Sequence, residues 1–418
     1  MMAAMKSLSC AVMLWGVLLA MAPLSAVDLA EEPGKVLCGY QGWFRAEGDG
    51  SGLGWVHYGS GRQMAPGRCT FDLWPDLSEF GPSERFASPF RFADGKGAEL
   101  FSSLHPETVR RHFRWMREYG IDGAFVQRFG TVLISERQRP SLDRVLDRSI
   151  AAAEAEGRVL GLMYDLTNLD EVHFPRVLED WRALVAAGFA QRPFVPRYEG
   201  RPLVAVYGLG FRDQRSSAEA WRTLLSGFKA SGCAVLVGVP AYWRTGTRDA
   251  SGDSAFRELI EEADVVMPWT VGRMREARSI EGVAREVWKE DVEWCRQRTK
   301  GYLPTIFPGF SWHNLSKERG VEAPLDAIPR QGGRFLWKQA LEAKKVGARW
   351  VYVAMFDEVD EGTAIFKCGG ARPVGESPFV DLSDVPSDHY LWLSGQVGRL
   401  LRDEMALSEE LPERPLKP

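Results

Sequence analysis

The amino-acid sequence predicts an α/β fold, a (β/α)8 barrel with long active-face insertions after strands one and eight. Three observations predict it. Apolar, strand-like runs alternate with amphipathic stretches through eight units. The runs are continuously apolar, as parallel strands buried on both faces require. The first run leads into Gly39-Tyr-Gln-Gly-Trp-Phe44, which lacks the G-x-G-x-x-G spacing that an open doubly wound sheet usually places there.

Taken in order, strands are predicted over 35–44, 121–129, 158–166, 202–209, 234–240, 263–271, 302–312 and 349–356. The intervening helices are predicted over 106–119, 141–156, 170–187, 216–230, 254–262, 280–298, 333–346 and 388–402. The first helix puts Val109, Phe113 and Met116 on one face. The second is rich in alanine, the best helix former. The last strand, Trp350 to Phe356, is a run of β-branched, aromatic and other apolar residues. Two connections exceed ordinary barrel loops: 45–105 after the first strand and 366–386 after the eighth. Strands one and eight adjoin in a closed barrel, so both insertions should wall the same side. The segment 403–418 is acidic, contains proline and has no periodicity, and is expected to be loose.

With 418 residues, 45% of them hydrophobic, the chain can bury a large core. A net charge of −4 gives no reason to expect a nucleic-acid partner. Residues 1–26 read as a signal peptide: Lys6, an apolar run from Leu8 to Ala22, then small residues at Leu24-Ser25-Ala26. That run is short for a membrane anchor, so a periplasmic or secreted chain is expected. Five cysteines remain after it, none with C-x-x-C spacing, so no structural zinc site is indicated. Cys69 and Cys368 are the candidate pair for a loop-to-loop disulfide in an oxidising compartment.

The barrel assignment predicts which residues converge, because barrel enzymes carry their catalytic groups at the C-terminal ends of the strands. The eighth strand ends in Asp357, Glu358, Asp360 and Glu361, then Gly362-Thr363. Glu358 and Glu361 are the candidate catalytic pair, since neighbouring carboxylates can hold one proton between them. The other strand ends offer Gln127 and Arg128, Asp165, Tyr207, Tyr242 and Trp243, Trp269, and Trp312 with His313. Tyr40, Trp43, His57 and Tyr58 come from the first strand end and the first insertion. Acids, amides and aromatic platforms suit a carbohydrate, whose hydroxyls need many hydrogen bonds and whose ring faces stack on aromatic rings. The alternatives are packing roles for the tyrosines and a helix cap for Asp165. The stretch Asp165 to Asp170 lacks the glycine and terminal glutamate of a calcium loop, and no G-x-S-x-G elbow of an esterase is present. No metal or cofactor is implied, and a monomer is expected.

The segment Asp357-Glu-Val-Asp-Glu-Gly-Thr363 resembles the Asn-Glu-Trp-His-Glu-Gly-Thr signature of glycoside hydrolase family 99. That family comprises endo-α-mannosidases and endo-α-mannanases on (β/α)8 barrels, and the α-1,3-glucanases of family 71 are its relatives. Glu358, Glu361, Gly362 and Thr363 match; Asp357, Val359 and Asp360 depart from it. The aromatic strand end containing Tyr40 and Trp43 is also similar. The resemblance implies that Glu358 is the base that acts on the sugar 2-hydroxyl. It implies that Glu361 is the acid/base, with a 1,2-anhydro sugar intermediate and net retention. A divergent bacterial member cleaving an α-linked polysaccharide is expected; a catalytically silent barrel that binds polysaccharide is the alternative.

Overall fold

The computed structural model describes residues 27–414, so the export segment 1–26 lies outside the described residues. Eight parallel strands form the barrel: β1 (Lys35–Tyr40), β2 (Gly123–Phe129), β3 (Val159–Asp165), β4 (Arg201–Tyr207), β5 (Ala234–Pro240), β6 (Val265–Trp269), β7 (Gly301–Tyr302 and Thr305–Ile306) and β8 (Trp350–Val353). Each is followed by a helix: α1 (Pro106–Tyr119), α2 (Arg139–Glu156), α3 (Phe174–Ala186), α4 (Ala218–Ala230) and α5 (Ser254–Glu262). Then come α6 (Ala277–Val283 and Lys289–Gln297, joined by the wide turn Ala284–Trp288), α7 (Arg334–Lys345) and α8 (His389–Leu401).

The ring closes inside β7. Its first piece pairs with β6 (Gly301 opposite Val265) and its second with β8 (Thr305 opposite Tyr352). Between them Leu303 N donates to Val266 O, and Tyr352 N donates to Pro304 O. The long strand expected over 302–312 is therefore short and split. Pro304 and Pro308 have no N–H to give a ladder, and the chain leaves the sheet after Ile306. The other strands and the helices fall within a few residues of the expected ranges.

Local sequence explains the helix ends. α1 and α2 stop at Gly120 (φ 75°) and Gly157 (φ 62°), left-handed positions that glycine adopts without steric cost. Ser217 and Asp253 cap α4 and α5 by accepting from Ala220 N and Ala255 N. α1 buries Val109, Phe113 and Met116 as its spacing predicts.

The two insertions do share one side. The first contains an antiparallel ribbon, Arg85–Arg91 with Gly97–Phe101. The second laces onto the first insertion through Gly369 N to Trp74 O (3.0 Å), Val380 N to Asp72 O (2.9 Å) and Val374 N to Arg91 O (2.9 Å). Cys69 and Cys368 remain buried free thiols, as do the other described cysteines, so the candidate disulfide is not formed. The C-terminal segment expected to be loose is tied down as far as it is described. Trp337 Nε1 donates to Ser408 O at 3.0 Å, Lys338 and Lys345 pair with Glu409, and Arg414 pairs with Asp388. Among the described residues, no helix is long and apolar enough to cross a membrane.

The barrel interior is filled tightly near its active end. A Cβ on Gly39 would stand 2.0 Å from Met355 Cε and 2.2 Å from Tyr352 Oη. Gly39→Ala should therefore destabilise the fold by about 1–3 kcal/mol through overpacking, read as a lower midpoint in urea unfolding.

Candidate active site

The chain beyond β8 is positioned by a carboxylate. Asp357 is fully buried and accepts from two backbone amides of the segment after β1: Gln41 N at 2.8 Å and Gly42 N at 2.9 Å. Burial pushes its pKa up to about 7, against the pull of those two donors. The same segment is braced by Arg45, whose Nη1 donates to Gly42 O (2.8 Å) and Phe44 O (3.0 Å). The ends of the first and last strands are thus clamped together.

Next the chain turns rather than forming a helix. Thr363 N and Ala364 N both donate to Glu358 O (3.1 and 2.9 Å), closing a turn over 359–362. Gly362 sits at φ 63°, and a Cβ there would meet Ser311 N at 2.7 Å, so the turn packs directly against the chain after β7. The Glu358 carboxylate lies at the base of this turn, 4% exposed. It accepts from Gln41 Nε2 (2.7 Å) and Thr363 Oγ1 (2.8 Å). Burial, then the charges of Glu361 and Asp360, hold its pKa well above the usual carboxylate range.

Glu361 is half-buried and opens into a cavity of about 610 Å³. Burial pushes its carboxyl up to about 7; Asp360 adds to the rise and Arg319 opposes it. Both glutamates are therefore displaced toward the protonated state.

Asp360 has a partner from the first insertion. Its Oδ2 lies 2.9 Å from His57 Nδ1, and its buried Oδ1 has no partner. His57 in turn stacks on Trp43, with ring centroids 3.7 Å apart and planes at 5°, and Trp43 stacks on Phe129 at 4.9 Å. Gln41, Trp43, His57, Asp165, Asp360 and Glu361 all line the cavity. Asp165 does not cap α3. It accepts from Thr167 N at 2.8 Å, and burial raises its pKa.

The other expected residues divide by the direction in which they point. Tyr207 lines a neighbouring cavity with Thr167 and Asn168, and Trp269 and Trp312 line another with Glu361. Gln127 lies in the barrel interior, donating to Tyr352 Oη at 3.1 Å. Neither Gln127 nor Glu358 lines these cavities, and six further residues do not either. Arg128 is buried against the helices, forked onto Asp180 and bonded to Asp143. Tyr40 bonds His112 Nδ1 (3.0 Å) under α1, and Tyr58 donates to Phe101 O (3.2 Å) inside the first insertion. Trp243 donates to Asp291 on α6 (2.9 Å), Tyr242 is covered by Arg248, and His313 is bonded to Ala323 O (2.7 Å). Sequence reasoning missed Gln41, Arg319 and the clamping role of Asp357. Gln41 alone carried a signal, as a polar residue inside the aromatic strand end.

No protein-family model and no curated protein matches the chain. Among solved structures, the GH99 endo-alpha-mannosidase from Bacteroides thetaiotaomicron superposes with a TM-score of 0.62 at 16% identity, covering 90% of this chain and 99% of that one. The same protein in complex with BIS-TRIS-Propane gives a TM-score of 0.62 at 15% identity, over 89% and 98% of the two chains. At such identity the likeness shows a common fold, running nearly end to end.

The clamp can be tested by removing its acceptor. Asp357→Ala leaves two buried N–H groups without a partner and should cost about 2–5 kcal/mol of stability. Chemical denaturation of variant and wild type side by side measures the difference.

Proposed function

We propose that this protein is an exported glycoside hydrolase. It cleaves α-linked polysaccharide or oligosaccharide in the manner of an endo-α-mannosidase, with Glu358 and Glu361 as its acid/base pair. The observation that carries this reading is the pairing itself: a cavity-facing Glu361 raised to about 7, with a buried Glu358 oriented by two donors. Raised carboxyls in a cleft are the equipment of general acid–base catalysis.

In the proposed reaction Glu361 gives its proton to the glycosidic oxygen as the bond to C1 breaks. Glu358, held by Gln41 and Thr363, takes the proton of the 2-hydroxyl, and O2 closes on C1 to form a 1,2-anhydro sugar. Glu361, now a carboxylate, takes a proton from the water that opens this ring at C1, and Glu358 returns its proton to O2. Two inversions at C1 give net retention. The His57 ring, fixed between Trp43 and Asp360, and the unpartnered Asp360 Oδ1 supply polar groups for the sugar hydroxyls.

The silent-barrel alternative rested on the departures at Val359 and Asp360. Val359 is fully buried away from the cavity, and Asp360 recruits His57 in place of the histidine missing from the motif. Val359 leaves the cavity lining unchanged and the Asp360 charge raises both glutamates, which supports the catalytic reading.

Glu358→Gln and Glu361→Gln should each lower turnover by about 10²–10⁴-fold with the fold intact. The assay is reducing-sugar release from a panel of α-mannans and α-glucans, and near-wild-type turnover in either variant would refute its role. Because Glu361 acts as an acid, kcat/KM should fall as pH rises through about 7. Asp360→Asn removes a charge that raises Glu361, so that alkaline limb should move to lower pH; a limb that stays in place or moves upward contradicts the assignment.

A further inference from the structure

Glu361 is shared by two cavities. On one side lies the 610 Å³ cavity, where Asp165 and Asp360 are offset by Arg45, Arg62 and Arg319. On the other lies a cavity of about 380 Å³ built from Trp269, Phe310, Trp312, Arg273 and Arg275, where Glu361 is the only acidic lining residue among the described residues.

The second cavity has a fixed aromatic wall. Trp269, half-buried at the end of β6, is held edge-on by Tyr207 with centroids 5.3 Å apart. Trp312 is half-buried against Phe310 at 5.9 Å. Its cationic wall is also positioned. Arg273 is anchored through Nε to Asp249 Oδ2 at 2.7 Å, and Asp249 is itself pinned by the amides of Ala241 and Tyr242. Arg275 is exposed and forms no ion pair among the described residues. The chain as a whole is acidic at −4. A solvated rim needs no anchored guanidinium beside two tryptophans. A ring face stacks on tryptophan, whereas guanidinium groups match carboxylate and sulfate oxygens in a forked geometry.

We propose that the Trp269–Trp312 cavity binds a sugar bearing an anionic substituent, a sulfate or a carboxylate, so that the substrate is a charged α-glycan. This rests on the glycosidase reading, in which Glu361 stands at the scissile oxygen and this cavity takes the leaving-group side. The sugar stacks on the tryptophans, and its anionic group meets Arg273 and Arg275.

The test measures binding apart from turnover, using the full chain carrying Glu361→Gln. The probes are an α-mannan, its sulfated derivative and its C6-oxidised derivative, titrated calorimetrically. One charged form should bind about tenfold or more tighter than the neutral one, with the advantage shrinking as salt rises. Adding Arg273→Gln and Arg275→Gln together should abolish the preference. Arg275→Gln alone, at an exposed residue without an ion pair, should reduce it while leaving the melting temperature unchanged. Preference for the sulfated form alone assigns sulfate, and preference for the oxidised form alone assigns carboxylate. Equal binding of all three probes, binding of none, or a preference that survives the double substitution would overturn the proposal. Wild-type turnover is scored separately: a charge preference without hydrolysis of any probe would count against the glycosidase reading and leave the anionic cavity standing.

Discussion

The site depends on one buried carboxylate. Asp357 joins the end of the last strand to the segment just after β1 by accepting from Gln41 N and Gly42 N. A barrel closes by ladder hydrogen bonds along its strands, but β8 ends at Val353, before the acidic residues begin. Two further backbone bonds, Ala354 N to Ile306 O (2.9 Å) and Phe356 N to Gly39 O (2.7 Å), carry the pairing to Phe356, and past it the backbone direction must be fixed by something else. Asp357 supplies this for the β1 side, while Ser311 packed on Gly362 supplies it for the β7 side. Removing water from Asp357 is costly, and the two amides offset that cost only where the backbone of β1 is already correctly placed.

From this anchor the acids acquire different environments. Glu358 is drawn down toward Gln41 and Thr363, Asp360 toward His57, and Glu361 is left facing the open cavity. Three carboxylates in four residues would repel one another in a solvated loop and stay ionised. Here burial and mutual proximity raise the glutamates instead, so the pair retains a proton near neutral pH. A loop insertion contributes as much as the strand: His57 reaches Asp360 across 303 residues of sequence.

Much of this architecture was legible in the sequence, since continuous apolar runs and helical periodicity depend on local residue order. The position of the acids just past the eighth strand was legible too, because the end of a barrel strand fixes height along the axis. What strand ends do not fix is the side on which a residue projects. Adjacent residues alternate across a strand. Gln127 points inward to Tyr352 while Arg128 points outward to Asp180, and Gly39 faces the interior while Tyr40 reaches His112 under α1. Trp243 lies past its strand and turns outward to α6 for the same want of a constraint on facing. His57 could not be paired from sequence, because the path of the insertion is set by its own aromatic packing. Asp357 read as a departure from a family motif, whereas its buried amide partners give it a structural reason to be an acid.

The central claim is that this frame keeps a proton on Glu361 near neutrality. The most direct measurement is a carboxyl ¹³C titration of glutamate-labelled protein, with the Glu361→Gln spectrum identifying the resonance. The Glu361 carboxyl is expected to titrate near 7. A Glu361 carboxyl titrating at the ordinary glutamate value of about 4.3 would contradict it, and with it the role of Glu361 as the acid.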